Sequence, residues 1–443
     1  MHIPKSLVGL PLLQKWESLK KSQLKDYFST FIATGLIQLI GIITGVITAR
    51  LLGPAGKGDL STIIWLPTLM TAIGIIGIPQ AVTLITSRNI QEDKVLNLTS
   101  FWLIIGIGIF EVAMLYPLIP PILGSAKSHL VSECRLFLLY IPLSLPALVL
   151  FGIDQGQQKF NRYNMLRPMP VVLYMIGLLI LWGAELGNLY NVLIVFLIGQ
   201  AATTIIRASV SGRYLFSIPK IEKRYIDCSK RLLRQGLVFY LPAISGILLM
   251  RIDIALLSWK ASSEEVGYYA VALAIAMGQT GLSSSLVQVN FPKIAGAPIH
   301  DAREILRQQF KNSILPVLGM GLVVAFFSKW IIQHIFGSAF LPAYTTGLIL
   351  IPAMAIWGLN QIIENGLRGI GLGWPGSLSN AVGLVIQVGF AILLIRYLKS
   401  VGMAIAMLFS QVSVMAILYI IFNKTLNRTF LQDDSPKYTI LAH

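Results

Sequence analysis

The sequence predicts an all-α transmembrane protein, twelve helices arranged as two parallel six-helix lobes related by a pseudo-two-fold axis along the membrane normal. Three observations lead there. Hydrophobic residues make up 55% of the 443 and charged residues only 12%, with a mean hydropathy of +0.73, outside the ordinary soluble range. The apolar residues fall in runs long enough to cross a bilayer, about 18 residues or more each. Finally, a polar motif in the first half returns 210 residues later, as Asp154 becomes Glu364.

The runs lie at about 28–50, 60–86, 98–120, 134–152, 166–185, 189–211, 236–258, 266–290, 313–333, 343–362, 374–396 and 400–422. A buried soluble helix imitates one such run, but hardly twelve. They are expected to be helices because every backbone polar group in lipid needs a partner within its own segment. With the N-terminus inside, 26 of the 35 Lys and Arg residues lie on the inner side, 8 on the outer side, and Arg251 within a span. This asymmetry is the positive-inside pattern. It assigns the net charge of +16 to topology rather than to nucleic acid, and no nucleic-acid partner is expected.

The flanks follow from the same count. Residues 1–27 form a basic N-terminal segment, with Leu12, Leu13, Trp16 and Leu19 at helical spacing among Lys15, Lys20, Lys21 and Lys25. They read either as a helix on the anionic inner leaflet or as a solvated leader. The segment lacks a small-residue cleavage site, so no removable signal peptide is expected. Residues 423–443 form a cytoplasmic tail. Cys134 and Cys228 fall on opposite sides of the membrane, and no disulfide is expected.

The basic stretch 212–235 is a cytoplasmic linker between an N-terminal lobe, 28–211, and a C-terminal lobe, 236–422. The halves repeat: "FGIDQGQQKF" (151–160) is answered by "IIENGLRGI" (362–370), Pro142 by Pro352, Gly156 by Gly366, and Gly58 by Gly267. Six spans is an even number, so both halves enter from the same side and the repeats are parallel. Such a design favours a binding site between the halves. Asp154 and Glu364 read either as polar residues of paired inner turns or as a cytoplasmic gate.

"ITARLLGPAGKGDLSTI" (47–63) resembles the first outer turn of the Wzx-type polysaccharide and lipid-linked oligosaccharide flippases, a branch of the multidrug/oligosaccharidyl-lipid/polysaccharide (MOP) exporter superfamily. "RIDIALLSWKASSEEVGYYAVALAI" (251–275) resembles its counterpart in the second half, with Asp253, Glu265, Gly267, Tyr268 and Ala270 in the family's pattern. The resemblance implies two lobes in a V around a central cavity, open alternately to each side. It implies a multi-pass protein of the bacterial plasma membrane that moves an undecaprenyl-pyrophosphate-linked oligosaccharide from inner to outer leaflet for cell-surface polysaccharide biosynthesis. Membrane lipids, a polysaccharide polymerase and glycosyltransferases would be its partners. A proton or sodium gradient is the candidate energy source, although no motif selects one, and no cofactor is expected. The alternative within the superfamily is a multidrug or small-cation antiporter.

The residues themselves narrow the site. "GPAGKG" (53–58) lacks the Walker spacing and a preceding strand, and reads as a tight interhelical turn. Thr30, Thr34 and Gln38 repeat every four residues in span one, as do Thr280, Ser284 and Gln288 in span eight, with Gln279 and Ser283 alongside. Such stripes either join helices or face water. "GIITG" (41–45) is a small-xxx-small pattern expected to pack closely. Glu111, Arg251 and Asp253 are the charged groups well inside spans, where charge is costly and marks function by default; a structural ion pair is the rival reading. A continuous span seven entering at Gly236 would carry Arg251 about 22 Å deep, past the midplane of a core about 30 Å thick. Arg50 would sit near the outer boundary. The expected substrate-binding set is therefore Arg251, Asp253, Arg50, Glu111, Gln38, Gln279 and Gln288, with Arg251 on the pyrophosphate. No enzyme is expected: His2, His129, His300, His334 and His443 form no catalytic pair with an acid near the interface, and no metal site is expected.

Overall fold

A computed structural model describes residues 9–88, 94–217, 222–240 and 243–426. The chain is about 90% helical, with no strand among the described residues. The helices are α1 (Gly9–Gly74), α2 (Ile78–Arg88), α3 (Lys94–Leu115), α4 (Ile119–Leu123), α5 (Val131–Phe137), α6 (Tyr140–Gly156), α7 (Phe160–Leu166), α8 (Met169–Gly183), α9 (Leu189–Ser211) and α10 (Lys223–Tyr240). There follow α11 (Ile244–Leu249), α12 (Ile252–Lys260), α13 (Ser263–Met277), α14 (Thr280–Ala295), α15 (Ile299–Trp330), α16 (Ala343–Gly369) and α17 (Trp374–Leu426). The side chains of the amphipathic N-terminal segment, residues 218–221 of the linker, and residues 427–443 of the tail lie outside the described residues.

Among the described residues, seven helices are long and apolar enough to cross a membrane, and two further pairs pass together across bends of 41° and 43°. Two of the seven are far too long for one crossing. Ile32–Arg88 has 57 residues, about 85 Å at helical rise, and it folds at Gly53 (φ 67°). Trp374–Thr425 folds at Lys399 (φ 49°). Each therefore holds two of the predicted spans. Span seven is the exception: instead of one helix over 236–258 it is divided among the end of α10, α11 and α12. The depth assigned to Arg251 assumed an unbroken rise, and this break removes that assumption.

The chain divides into two compact units. Unit 1 comprises residues 1–241 and the short segment Ser262–Gly267; unit 2 comprises Pro242–Ala261 and residues 268–443. Unit 1 is built round α6, which supplies Ile141, Leu145, Val149, Leu150 and Ile153 to the core. Phe137, Tyr140, Tyr174 and Phe196 stack beside it with ring centroids 4.7–5.6 Å apart. Unit 2 is built round α16, which contributes Ala355, Leu359, Ile362, Ile363 and Leu367.

Both core helices end alike. In α6, Gln158 is left-handed (φ 56°), its N–H donates to the Gln155 carbonyl, and the Lys159 N–H reaches back to Asp154. In α16, Gly371 (φ 85°) donates to Arg368, and Leu372 to Leu367. Both are Schellman caps, which satisfy the last helical carbonyls. The opening of unit 1 is a tight turn, as expected of "GPAGKG": beyond Gly53 the chain doubles back, and Lys57 Nζ donates to Thr48 Oγ1 at 2.7 Å. The close packing expected of "GIITG" is absent. A Cβ added at Gly41 or Gly45 would meet nothing within 4 Å among the described residues, and the Gly45 carbonyl instead accepts from Thr48 and Lys57.

Candidate functional site

The broken span seven presents two charges in opposite ways. Arg251 caps the N-terminus of α12 with a non-helical backbone (φ −128°). It is exposed and enters no ion pair among the described residues. Asp253, two residues on, is buried at 1% exposure. Its Oδ1 accepts from the Ile254 N–H at 2.8 Å and its Oδ2 from the Tyr269 hydroxyl of α13 at 2.9 Å. A continuous helix would turn these residues about 200° apart. Here the break itself turns Arg251 out and Asp253 in.

The α11 piece of span seven rests on α17. Ser245 Oγ donates to the Ser377 carbonyl at 3.0 Å, and Gly246 lies against the Asn380 side chain. Asn380 Nδ2 in turn donates to Glu364 at 3.4 Å, and Arg368 holds the other Glu364 oxygen at 2.5 Å. Gly376 leaves room for that carboxylate, since a Cβ there would collide with it. Glu364 is thus 3% exposed and fully engaged.

Its counterpart in unit 1 is held more tightly. Asp154 has no exposure; Arg162 approaches one carboxylate oxygen and Arg207 the other. The Schellman cap makes this possible, because it reverses the chain so that Arg162 on α7 faces Asp154. Arg207, from α9, is also wholly buried, with its guanidinium 3.6 Å above the Phe151 ring. The sequence reading missed Arg207. It counted this residue only among the basic ends of spans, although an acid buried near the same membrane depth was the signal that an arginine would seek it.

The remaining predicted site residues scatter. Arg50, Gln38 and Gln288 are exposed. Gln279 is buried and donates to the Ile351 carbonyl at 2.7 Å. Glu111 is buried against Gly74. The stripe of span one is partly a joint: Asn164 Nδ2 donates to Ser29 and Thr30, and Arg167 donates to Thr34. The described residues contain no cluster of three His, Cys, Asp or Glu that could hold a metal.

This is the fold of the transporters and flippases of the MOP superfamily. Similar solved structures include the lipid II flippase MurJ in an inward closed conformation, at TM-score 0.73 and 16% identity over 90% of this chain and 89% of that one. An inward-facing multidrug resistance MATE transporter follows at TM-score 0.66 and 16% identity, over 90% of this chain and 98% of that one. A MOP transporter from Pyrococcus furiosus matches at TM-score 0.54 and 16% identity, over 90% and 94%. No curated protein matches the sequence. The family described as "Polysaccharide biosynthesis protein" matches residues 23–298, more than half of the chain, and the chain belongs to it. Its long apolar helices make it a multi-pass membrane protein.

Proposed function

We propose that the protein flips an undecaprenyl-pyrophosphate-linked oligosaccharide from the inner to the outer leaflet of a bacterial plasma membrane, by alternating access, for surface polysaccharide biosynthesis. The observation that carries this is Arg251. A guanidinium stays charged at any physiological pH and offers a fork of donors matched to phosphate oxygens. Exposed and in no ion pair among the described residues, it would be costly in hydrocarbon, so it requires water or an anion beside it. A pyrophosphate supplies the anion, and the polysaccharide biosynthesis family supports that cargo. Arg50 would add charge toward the outer boundary, and Gln38, Gln279 and Gln288 would contact sugar hydroxyls. Asp154 and Glu364, each locked by arginine, would act as the inner gate.

The competing reading is a multidrug or small-cation antiporter, favoured by the buried carboxylate of Asp253 and by the likeness to multidrug transporters. Deleting the gene and analysing lipid-linked sugars separates the two. Undecaprenyl-pyrophosphate oligosaccharide accumulating on the inner leaflet supports the flippase. Unchanged glycolipids with new drug sensitivity would hand the function to the antiporter. A polymerase and glycosyltransferases would be partners of the flippase alone.

A further inference from the structure

The second predicted span is broken in a way nothing described so far explains. The α1 helix stops at Gly74, and α2 resumes at Ile78. Between them, Ile76 (φ 43°) and Gly77 (φ 66°) are left-handed, a region that a β-branched residue such as isoleucine rarely enters. Two carbonyls lose their helical donors at this point. The N–H of Ile76 goes to Ile73 rather than Ala72, and that of Ile78 to Ile75 rather than Gly74.

Glu111 of α3 sits beside this break. A Cβ at Gly74 would collide with its carboxyl group, so residue 74 clears the space the acid occupies. Glu111 is 6% exposed, and its Oε2 is buried without a hydrogen-bond partner. Tyr240, at the end of α10, interacts electrostatically with Glu111, and its buried hydroxyl also lacks a partner. The α10 helix is held against the break, Gly236 lying on the Ile76 and Gly77 backbone. Although α2, α6 and α10 also carry Arg88, Asp154, Arg231 and Arg234, Tyr240 is the titratable group that interacts with Glu111 among the described residues, and no charged neighbour acts on the carboxyl.

The broken backbone beside the acid therefore offers carbonyl acceptors, and the Tyr240 hydroxyl can donate as well as accept. An ionised carboxylate with a bare oxygen is costly there, whereas a carboxylic acid becomes the missing donor. We infer that Glu111 is a proton-binding site, at which one proton taken up by Oε2 bridges α3 to the broken backbone of span two and is released when that break rearranges. The inference deepens the transporter reading and rests on it for its purpose: the bound proton would be the particle exchanged against the cargo.

The test uses the purified full chain in lipid vesicles, so that site and cargo are examined separately. Infrared difference spectra across pH should show a carboxylic-acid C=O band that titrates, that disappears in Glu111→Gln, and that shifts in frequency in Tyr240→Phe. In cells, Glu111→Gln should lower export at least ten-fold, leaving a residual rate flat across pH, while Glu111→Asp keeps a pH dependence. An unchanged spectrum in a folded Glu111→Gln protein overturns the proposal. So does a band that never titrates between pH 4 and 10, or one that responds to sodium instead of protons. If the band titrates as expected but deletion leaves lipid-linked sugars unchanged, the proton site stands and the cargo assignment falls.

Discussion

At Arg251 the charge, its fork geometry and its position at a helix break can be separated by substitution. At matched membrane abundance, Arg251→Ala should reduce export at least ten-fold, whereas Arg251→Lys should retain a part of it, since an ammonium keeps the charge and loses the bidentate fork. Asp253→Asn should keep export if the carboxylate serves only to hold Tyr269. Full activity in Arg251→Ala would transfer the anion role elsewhere. The arginine pair on Asp154 gives a second prediction at this scale. Arg207→Met leaves part of a buried carboxylate uncompensated, a change that costs about 3–5 kcal/mol. The unfolding temperature in detergent should fall steeply, and Asp154→Asn added to Arg207→Met should recover part of the loss. Glu111, Arg251 and Asp253 were conspicuous in the sequence because charge is rare in spans, and Asp154 and Glu364 because they recur at matching places in the two halves. Their partners were not: Arg207, Tyr269 and Tyr240 come from other helices, and spacing along one helix carries no information about the helix it faces.

Among the elements, the Schellman caps show what repetition preserves and what it changes. Gln158 occupies the left-handed position that Gly371 fills in the second half. An L side chain there costs about 1–2 kcal/mol, part of which is returned by glycine's greater freedom when unfolded. Gln158→Gly should therefore stabilise the protein by about 0.5–1 kcal/mol, a small rise in unfolding temperature without loss of export. Lowered stability would show that the glutamine has a role beyond the cap. Hydropathy exposed the elements themselves well. The run 28–50 corresponds to the first limb of α1 and 60–86 to its second limb and α2, and the glycine between the runs marked the fold. It missed the break in span seven, since an average over about 20 residues is insensitive to a local change of φ at Arg251. It also overread "GIITG", where small residues permit close packing but do not compel it.

At the scale of the whole molecule, the charge count makes a topology prediction. Reporter fusions at Lys57 should read as external and at Ser229 as cytoplasmic, because the basic residues then lie predominantly inside. An external reading at Ser229 would break the even count of spans on which the parallel repeat rests. The fold class was legible for a physical reason: lipid imposes helices and a minimum length, so few alternatives survive. Cargo and energy source leave no comparable trace in composition.

The six residues Ser262–Gly267 belong by sequence to the second repeat and by packing to the first unit. Ser263 Oγ donates to Asp59, and the two turns meet so closely that a Cβ on Gly58 would strike the Ser263 carbonyl and one on Gly267 the Pro54 carbonyl. The first unit is therefore finished by a clasp that the ribosome delivers late. Until residue 267 has been made, the notch at Gly58 stands open, and a nascent chain of 241 residues is a lobe awaiting its fastener. A protein cut between Gly212 and Lys223 should reassemble from two co-expressed fragments, each recovered by a tag on the other. Gly267→Leu, too large for the notch, should lower the recovery of the pair, although α10 of the second fragment still docks on α2.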